Sequence, residues 1–583
     1  MDKGSVIPTF LSSQYHLIQM DLSGNKLIGS FPNWLMHNEG IQNLNISNNN
    51  LSGLLPKDIG IFLPNAITLD ISWNSFEGNI PSSISNMKAL WALDFSHNNF
   101  SGELPKQLAT DCHNLLHLML SKNFLSGNIP NFSNSVNMEY LFLDNNNFTG
   151  TLEDLLGNNT GLRMLHISNN SISGIIPSSI GMFSNIQTLL LGENLLEGEI
   201  PSEISNMSSL QVMDLSQNKL IGSIPKLSNM EYLRFLYLGK NDLSGSIPFE
   251  LSGSSQLKLL DLTDNNFSGK IPNWMDNLSE LRVLLLGGNN FEGDIPTQLC
   301  LLKNITIMDL SRNMLNASIP SCFQNLPFGQ YHDGYLPIFE ITLAVGYFIP
   351  YQFDSNLDFQ SIAPILLDDD LLHLEVEFRT KYNDYYYKGK ILENMTGLDL
   401  SCNKLTGIIP SQIGDLQQIR ALNLSHNYLS GPIPTTFSNL AQIESLDLSY
   451  NNLSGKIPYE LTEMKFLSIF NVSYNNLSGT PPSTGQFQDF DEENYRGNPG
   501  LCGLLNRKCE GITPPPSSQS NDNSEEKETK VDMISFYWSF AGSYITILVA
   551  FITVLCINVR WRMAWFYYVS KVMRTCFPTF PLY

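Results

Sequence analysis

The chain has 583 residues, 42% of them hydrophobic, with 33 Lys and Arg against 55 Asp and Glu, a formal net charge of −22. That balance excludes a nucleic-acid partner, because phosphate contacts need clustered Lys and Arg, and it says little else, since solubility alone accounts for it. Length by itself points to several domains, but internal repetition makes most of the chain one elongated body.

Met1 to Thr9 lacks the apolar stretch of a secretory signal peptide, and the repeating pattern begins by Leu17 with no capping segment ahead of it. Solenoids need covered ends, so the sequence predicts an open N-terminal edge. From there one unit recurs, best seen in LDLSYNNLSGKIP at Leu446 to Pro458. Aligned on its Asn it occurs seventeen times: Asn25, Asn49, Asn74, Asn98, Asn123, Asn146, Asn170, Asn194, Asn218, Asn241, Asn265, Asn289 and Asn313, then Asn403, Asn427, Asn451 and Asn475. The spacing is 23 to 25 residues, apart from one gap of 90.

A period of that length carrying LxxLxLxxN is a leucine-rich repeat, each copy one coil of a solenoid. In Leu446-Asp447-Leu448 the two Leu point into the core and Asp447 points out, because strand side chains alternate. The Asn turns inward, where its amide can satisfy backbone groups of the turn. Gly455 permits the bend that follows, and Ile-Pro continues the coil in extended form. The fold class expected is therefore an α/β-type solenoid with a curved parallel sheet on its concave face, an irregular or 3-10 convex side, and one transmembrane helix. Seventeen strands give an arc on the order of 80 Å.

Residues 1–325 hold the first thirteen repeats. The outward strand positions are usually Asp or Asn, as in Asp70 and Asp94, but from the fifth repeat to the tenth they become apolar or aromatic. His117, Met119, Tyr140, Phe142, Met164, His166, Leu190, Phe235 and Tyr237 thus form an expected exposed cluster and the candidate ligand surface. Cys300 and Cys322 are close to one period apart, so stacking predicts a disulfide between adjacent coils, which implies an oxidising compartment. Seventeen N-x-S/T sequons agree with it, among them Asn99, Asn147, Asn266, Asn452 and Asn476, each directly after a repeat Asn.

Residues 326–392 abandon the repeat and are rich in Tyr and Phe, too apolar for disorder. Alternation over His373 to Thr380, with Leu374, Val376 and Phe378 on one side, predicts a strand. Residues 393–482 supply four more repeats. Residues 483–511 contain Cys502 and Cys509, whose pairing would close the end of the solenoid, and 512–532 read as an acidic linker. Residues 533–559 are uncharged and exceed the ~20 needed to cross a bilayer. Acidic residues precede that span and Arg560, Arg562, Lys571 and Arg574 follow, so the tail 560–583 falls in the cytosol. Ser535, Ser539, Gly542 and Ser543 place small residues where two helices could approach closely.

The LxGxIP ending and this order of parts resemble plant receptor-like proteins, kinase-lacking receptors of the cell surface. The resemblance implies a single-pass plasma-membrane protein with its repeats outside the cell. It also implies an N-terminally truncated chain, since relatives begin with a signal peptide and a Cys-bearing cap. The island at 326–392 would help to form the ligand site, and its Lys388 and Gly389 match a family Lys-Gly. The last repeats would face a co-receptor kinase, which makes Asn423, Tyr450 and Tyr474 candidate contacts, and the membrane helix would join an adaptor receptor kinase. The function implied is binding of an extracellular peptide, protein or glycan, in defence or development. The alternatives are an anchored module against a secreted hydrolase, or a non-functional remnant. No catalytic constellation, metal site or cofactor is expected: His113 and His117 flank a strand, and the Asp of LDLS is a repeated structural position.

Overall fold

The computed structural model describes residues 5–14, 16–132, 137–156, 160–328, 375–380 and 383–503. Met1–Glu510 forms a compact unit of its own. Cys509 and everything from 504 onward, including the expected membrane helix with Ser535, Ser539, Gly542 and Ser543, lie outside the described residues. Among those described, no helix is long and apolar enough to cross a membrane.

Each repeat contributes one three-residue strand to a parallel sheet of seventeen, from Gln19–Asp21 to Ile469–Asn471. Register is exact from coil to coil: Leu93 lies beside Leu69 and Leu118, so the inward Leu stack in one continuous core. The long insertion does not interrupt this stack. Ile307–Asp309 pairs directly with Gly397–Asp399, and the Leu315 N–H donates to Asn403 Oδ1 at 3.0 Å as if no chain lay between them.

The repeat Asn holds consecutive coils together. Asn98 Nδ2 donates to Ser96 O at 3.1 Å in its own turn and to Ile71 O at 3.0 Å one coil earlier. Its Oδ1 accepts the Phe76 N–H at 2.9 Å. The series has one more member than the repeats reveal. Asn498, in the cap sequence NPG, accepts the Leu477 N–H at 2.9 Å and donates to Val472 O at 2.9 Å. Its surroundings lack the LxL signature, which hides it from the periodicity.

The convex side departs from expectation. The 3-10 elements expected on that side are present, and they follow Ile-Pro, as in Ser82–Asn86 and Ser202–Asn206. Ahead of them, however, the LSG segments pair with one another in further parallel sheets of seven, seven and five strands. The Gly makes this possible: Gly102 and Gly127 sit at φ +78°, a conformation that turns the chain without steric cost. The backbone groups beyond the Asn then find partners on the next coil, as buried polar groups must.

At the C-terminal end Phe470 gathers Phe487, Phe490 and Tyr495 at ring distances of 4.9, 5.7 and 6.2 Å, an aromatic plug over the last coil. Cys502 is disulfide-bonded. The Cys300–Cys322 bridge is formed as the spacing predicts, with Cα atoms 5.8 Å apart. Cys112 and Cys402 carry free thiols, and burial pushes that of Cys112 up to about 11.

Asn265→Ala orphans the N–H of Leu243 and takes one donor from each of the carbonyls of Leu238, Leu262 and Thr263, which keep Asn241, Asn289 and the Lys240 N–H. Urea unfolding is expected to show a loss of about 3 kcal/mol. Among the described residues the exposed Asn25 bonds only within its own turn, so Asn25→Ala is expected to cost under ~1 kcal/mol. Equal losses would contradict the stapling role.

Candidate ligand-binding face

Outward side chains of the long sheet create its open face, and there the structure corrects the sequence. His117, Met119, Tyr140, Phe142, Met164, His166, Leu190, Phe235 and Tyr237 are all buried, none more than 9% exposed. They do not form an exposed cluster. Most of them belong instead to one apolar layer that continues through Leu259, Val283, Leu285 and Ile307 and takes in Val376, Phe378, Leu392 and Met395 from the insertion and its exit. Apolar surface on the face has been withdrawn from water by packing, the outcome that the hydrophobic effect favours. Within the layer His117 stacks on Tyr140 at 4.7 Å, and burial pushes its imidazole down to about 4. His166 Nδ1 lies 3.1 Å from the Asp144 carboxylate.

The described part of the insertion is an antiparallel hairpin, Glu375–Thr380 with Asn383–Lys388, leading into the helix Gly389–Asn394. The strand expected at 373–380 is present from Glu375, with Val376 and Phe378 buried as the alternation requires; Leu374 lies outside the described residues. Lys388 ends the second strand and Gly389 begins the helix, so the Lys-Gly pair marks the exit from the hairpin.

Two contacts fix the hairpin on the face. Gly397 takes the outward position of its strand, and a Cβ there would meet the Phe378 ring at 2.3 Å. Only glycine leaves room for that ring. On the other side Lys240 Nζ lies 2.6 Å from Glu377 Oε2, donates to Tyr386 OH at 3.3 Å and stands 5.6 Å from the Tyr386 ring centre. Sequence reasoning passes over both Gly397 and Lys240. A signal for the first exists, since it breaks a run of large outward residues.

A groove of about 210 Å³ runs beside this contact, lined by Glu193, Asp214, Tyr237, Lys240, Asp261, Glu377 and Tyr386 among others. Tyr385 and Tyr386 remain 43% and 57% exposed along the hairpin edge. The outward Asp residues that flank the apolar layer brace their own turns. Asp94 Oδ1 accepts the Ser96 N–H at 2.9 Å and its hydroxyl at 2.6 Å. Burial raises these carboxyls, Asp214 and Asp261 to about 6, and Asp94 and Asp399 to about 7, with Asp70 and Asp309 beside the latter two adding repulsion.

In the closing repeats Tyr450 and Tyr474 are exposed; Tyr450 stacks on His426 with ring centres 4.2 Å apart, and Tyr474 stacks on Tyr450 at 4.3 Å. Asn423 is engaged within the sheet, donating to Asp399 Oδ2 at 2.9 Å and accepting from Ser425. Asn99, Asn147, Asn266, Asn452 and Asn476 are all exposed, each opening a strand of the convex-side sheets.

Leucine-rich-repeat family models match residues 389–429 and nine single-repeat segments between residues 16 and 464. Cuscuta receptor 1 of Solanum lycopersicum is 58% identical over 206 residues, which are 35% of this chain and 18% of that protein. Receptor-like protein 9b of Arabidopsis thaliana is 58% identical over 201 residues, 34% of this chain and 21% of that protein. The chain is a leucine-rich-repeat homologue of the plant receptor-like proteins. It spans about a fifth of the length of these two relatives. Among solved structures, the plant peptide hormone receptor RGFR1 in complex with RGF2 is 26% identical with a TM-score of 0.65, covering 85% of this chain and 81% of that one. The complex PEPR1-AtPEP1 is 27% identical with a TM-score of 0.56, covering 87% of this chain and 71% of that one.

Two outcomes test this face. Gly397→Val suits a strand but displaces Phe378; amide exchange over Glu375–Lys388 is expected to rise about tenfold or more while the long sheet stays protected. Unchanged exchange would mean that Phe378 does not anchor the hairpin. For the carboxyls, a folded-state pKa raised above the unfolded value gives stability that is complete below about pH 4 and is lost as pH rises through about 7. Thermal unfolding is therefore expected to fall between pH 5 and pH 7.5, and Asp94→Asn to reduce that fall. A variant with the same pH slope as the parent would refute the assignment.

Proposed function

We infer that the chain is the ligand-recognising body of a plant cell-surface receptor that signals through partner receptor kinases, in defence or development. The observation that carries this reading is the return of the insertion to the sheet. A segment that leaves the solenoid without disturbing its stacking, and then docks on the open face with tyrosines in solvent, serves recognition rather than repeat stability. The likeness to a plant peptide hormone receptor solved in complex with RGF2 supports a ligand-binding role.

The ligand, an extracellular peptide, protein or glycan, would meet the rim of the hairpin rather than the buried apolar layer. Tyr385, Tyr386, Lys240 and Glu377 stand at that rim. Tyr450 and Tyr474 would offer the closing repeats to a co-receptor, and exposed Asn99, Asn147, Asn266, Asn452 and Asn476 would carry glycans. Ser535, Ser539, Gly542 and Ser543 would join the adaptor kinase in the plasma membrane.

The experiment is co-purification of receptor kinases with the full chain from plant membranes. Replacing both Ser539 and Ser543 with Leu is expected to reduce the recovered kinase about tenfold while the chain keeps its glycosidase-sensitive mobility. Undiminished recovery would count against signalling through the helix and favour an anchored binding module.

A further inference from the structure

Outward Asp recurs along the long sheet, but its surroundings differ from coil to coil. Asp70, Asp94, Asp214, Asp261 and Asp447 keep part of their surface in water. Asp309 and Asp399 do not, at 8% and 2% exposed. Their strands pair directly, with Asp309 beside Asp399, so the two carboxyls stand one strand spacing of about 4.8 Å apart. The return of the insertion brings them together, since 90 residues of sequence separate them.

Both carboxyls are tied to the sheet. Asp309 Oδ1 accepts the Ser311 N–H and Asp399 Oδ1 the Ser401 N–H, each at 2.8 Å, and Asp399 Oδ2 accepts from Asn423 Nδ2 at 2.9 Å. The hairpin closes over them. Glu377, Phe378 and Arg379 line a cavity of about 90 Å³ together with the pair, and the Phe378 ring fills the space that a side chain at position 397, two residues before Asp399, would need.

The charges around the pair do not balance it. In the same cavity Asp264 is held by Arg312 at 2.9 Å, and Glu377 is held by Lys240 at 2.6 Å. Arg379 then faces two carboxyls as the remaining cation of the lining among the described residues. The nearby Cys402 thiol is raised by burial and by Asp399, so it adds no charge. Two buried carboxyls so close do not both ionise without a large cost. Burial, with repulsion from Asp309, raises Asp399 to about 7, and burial raises Asp309 too.

We propose that Asp309 and Asp399 form a proton-holding latch beneath the hairpin. While the pair keeps a proton the hairpin stays seated, and when both carboxyls ionise it lifts from the sheet and leaves the solenoid intact. Seating the hairpin withdraws the pair from water, so the seated state binds protons more tightly than the lifted one. Its stability is complete below about pH 4 and is lost as pH rises through about 7. Lifting lets water reach the carboxyls, as it already does at Asp94 and Asp261, without unpairing a strand. The latch does not depend on what the face binds.

The test is amide exchange of the full chain, purified from plant membranes in detergent, at about pH 5.5 and about pH 7.5, with each rate divided by its intrinsic value. Protection over Glu375–Thr380 and Asn383–Lys388 is expected to fall about tenfold or more at the higher pH while the long sheet stays protected. Joint replacement, Asp309→Asn with Asp399→Asn, is expected to remove that fall. Asn suits the position: Asn423 occupies it in the next coil, and its Oδ1 accepts the Ser425 N–H at 3.2 Å and hydroxyl at 2.8 Å. Asp94 does not line the cavity, so Asp94→Asn is expected to leave the hairpin's response as in the parent. Equal hairpin protection at both pH values in the parent would overturn the proposal whatever the variants do. A response that persists in the double variant, or that Asp94→Asn abolishes as fully, would overturn it too.

Discussion

Each coil of this solenoid leaves backbone carbonyls and an N–H in the turn that follows its strand, buried and out of reach of water. One Asn amide per coil satisfies them, using both of its donor hydrogens and its acceptor across two neighbouring coils. An unpaired buried polar group costs about 1–3 kcal/mol, so a coil without this amide, or without a neighbour, is destabilised. The rest follows from that constraint. The period cannot drift, the strands stack in register, and the insertion after Asn325 must leave and rejoin the stack with the coil spacing intact, as the pairing of Ile307–Asp309 with Gly397–Asp399 shows.

Such stacking frees the outward positions for other roles. Inward Leu and Asn are held by the core, whereas the residues between them need only tolerate a strand. Where they are Asp, the carboxylate braces its own turn through a Ser or Thr two residues on. Where they are apolar, they join a layer shared with Val376 and Phe378 of the hairpin. The open face thus has three zones: braced acids, a covered apolar layer, and a hairpin rim where tyrosines meet solvent. At that rim Tyr385 and Tyr386 stay exposed beside the Lys240–Glu377 pair.

Much of this is legible in the chain itself. The seventeen Asn, the inward Leu, the Cys300–Cys322 bridge, the 3-10 character of the convex side and the strand ending at Thr380 all follow from local rules, since each depends on residues within one period or on its nearest copy. Where those rules end, sequence reading fails. Asn498 escapes it because its turn lacks the repeat's Leu pattern, and the convex-side sheets escape it because LSG looks like a bend until the next coil offers it partners. The apolar outward residues read as exposed because a strand pattern assigns a side chain to a face and says nothing of what covers that face.

The sequence alone therefore determined the solenoid, its coil count, its core and the place where it is interrupted, because periodicity fixes the direction of every side chain within a coil. Only the tertiary structure decided which outward residues are buried, that Phe378 lies on Gly397, that Lys240 reaches Glu377 from 137 residues away in the sequence, and where clefts remain. Those are contacts between segments whose separation carries no period. Their outcome rests on shape and charge meeting in space, which the order of residues does not display.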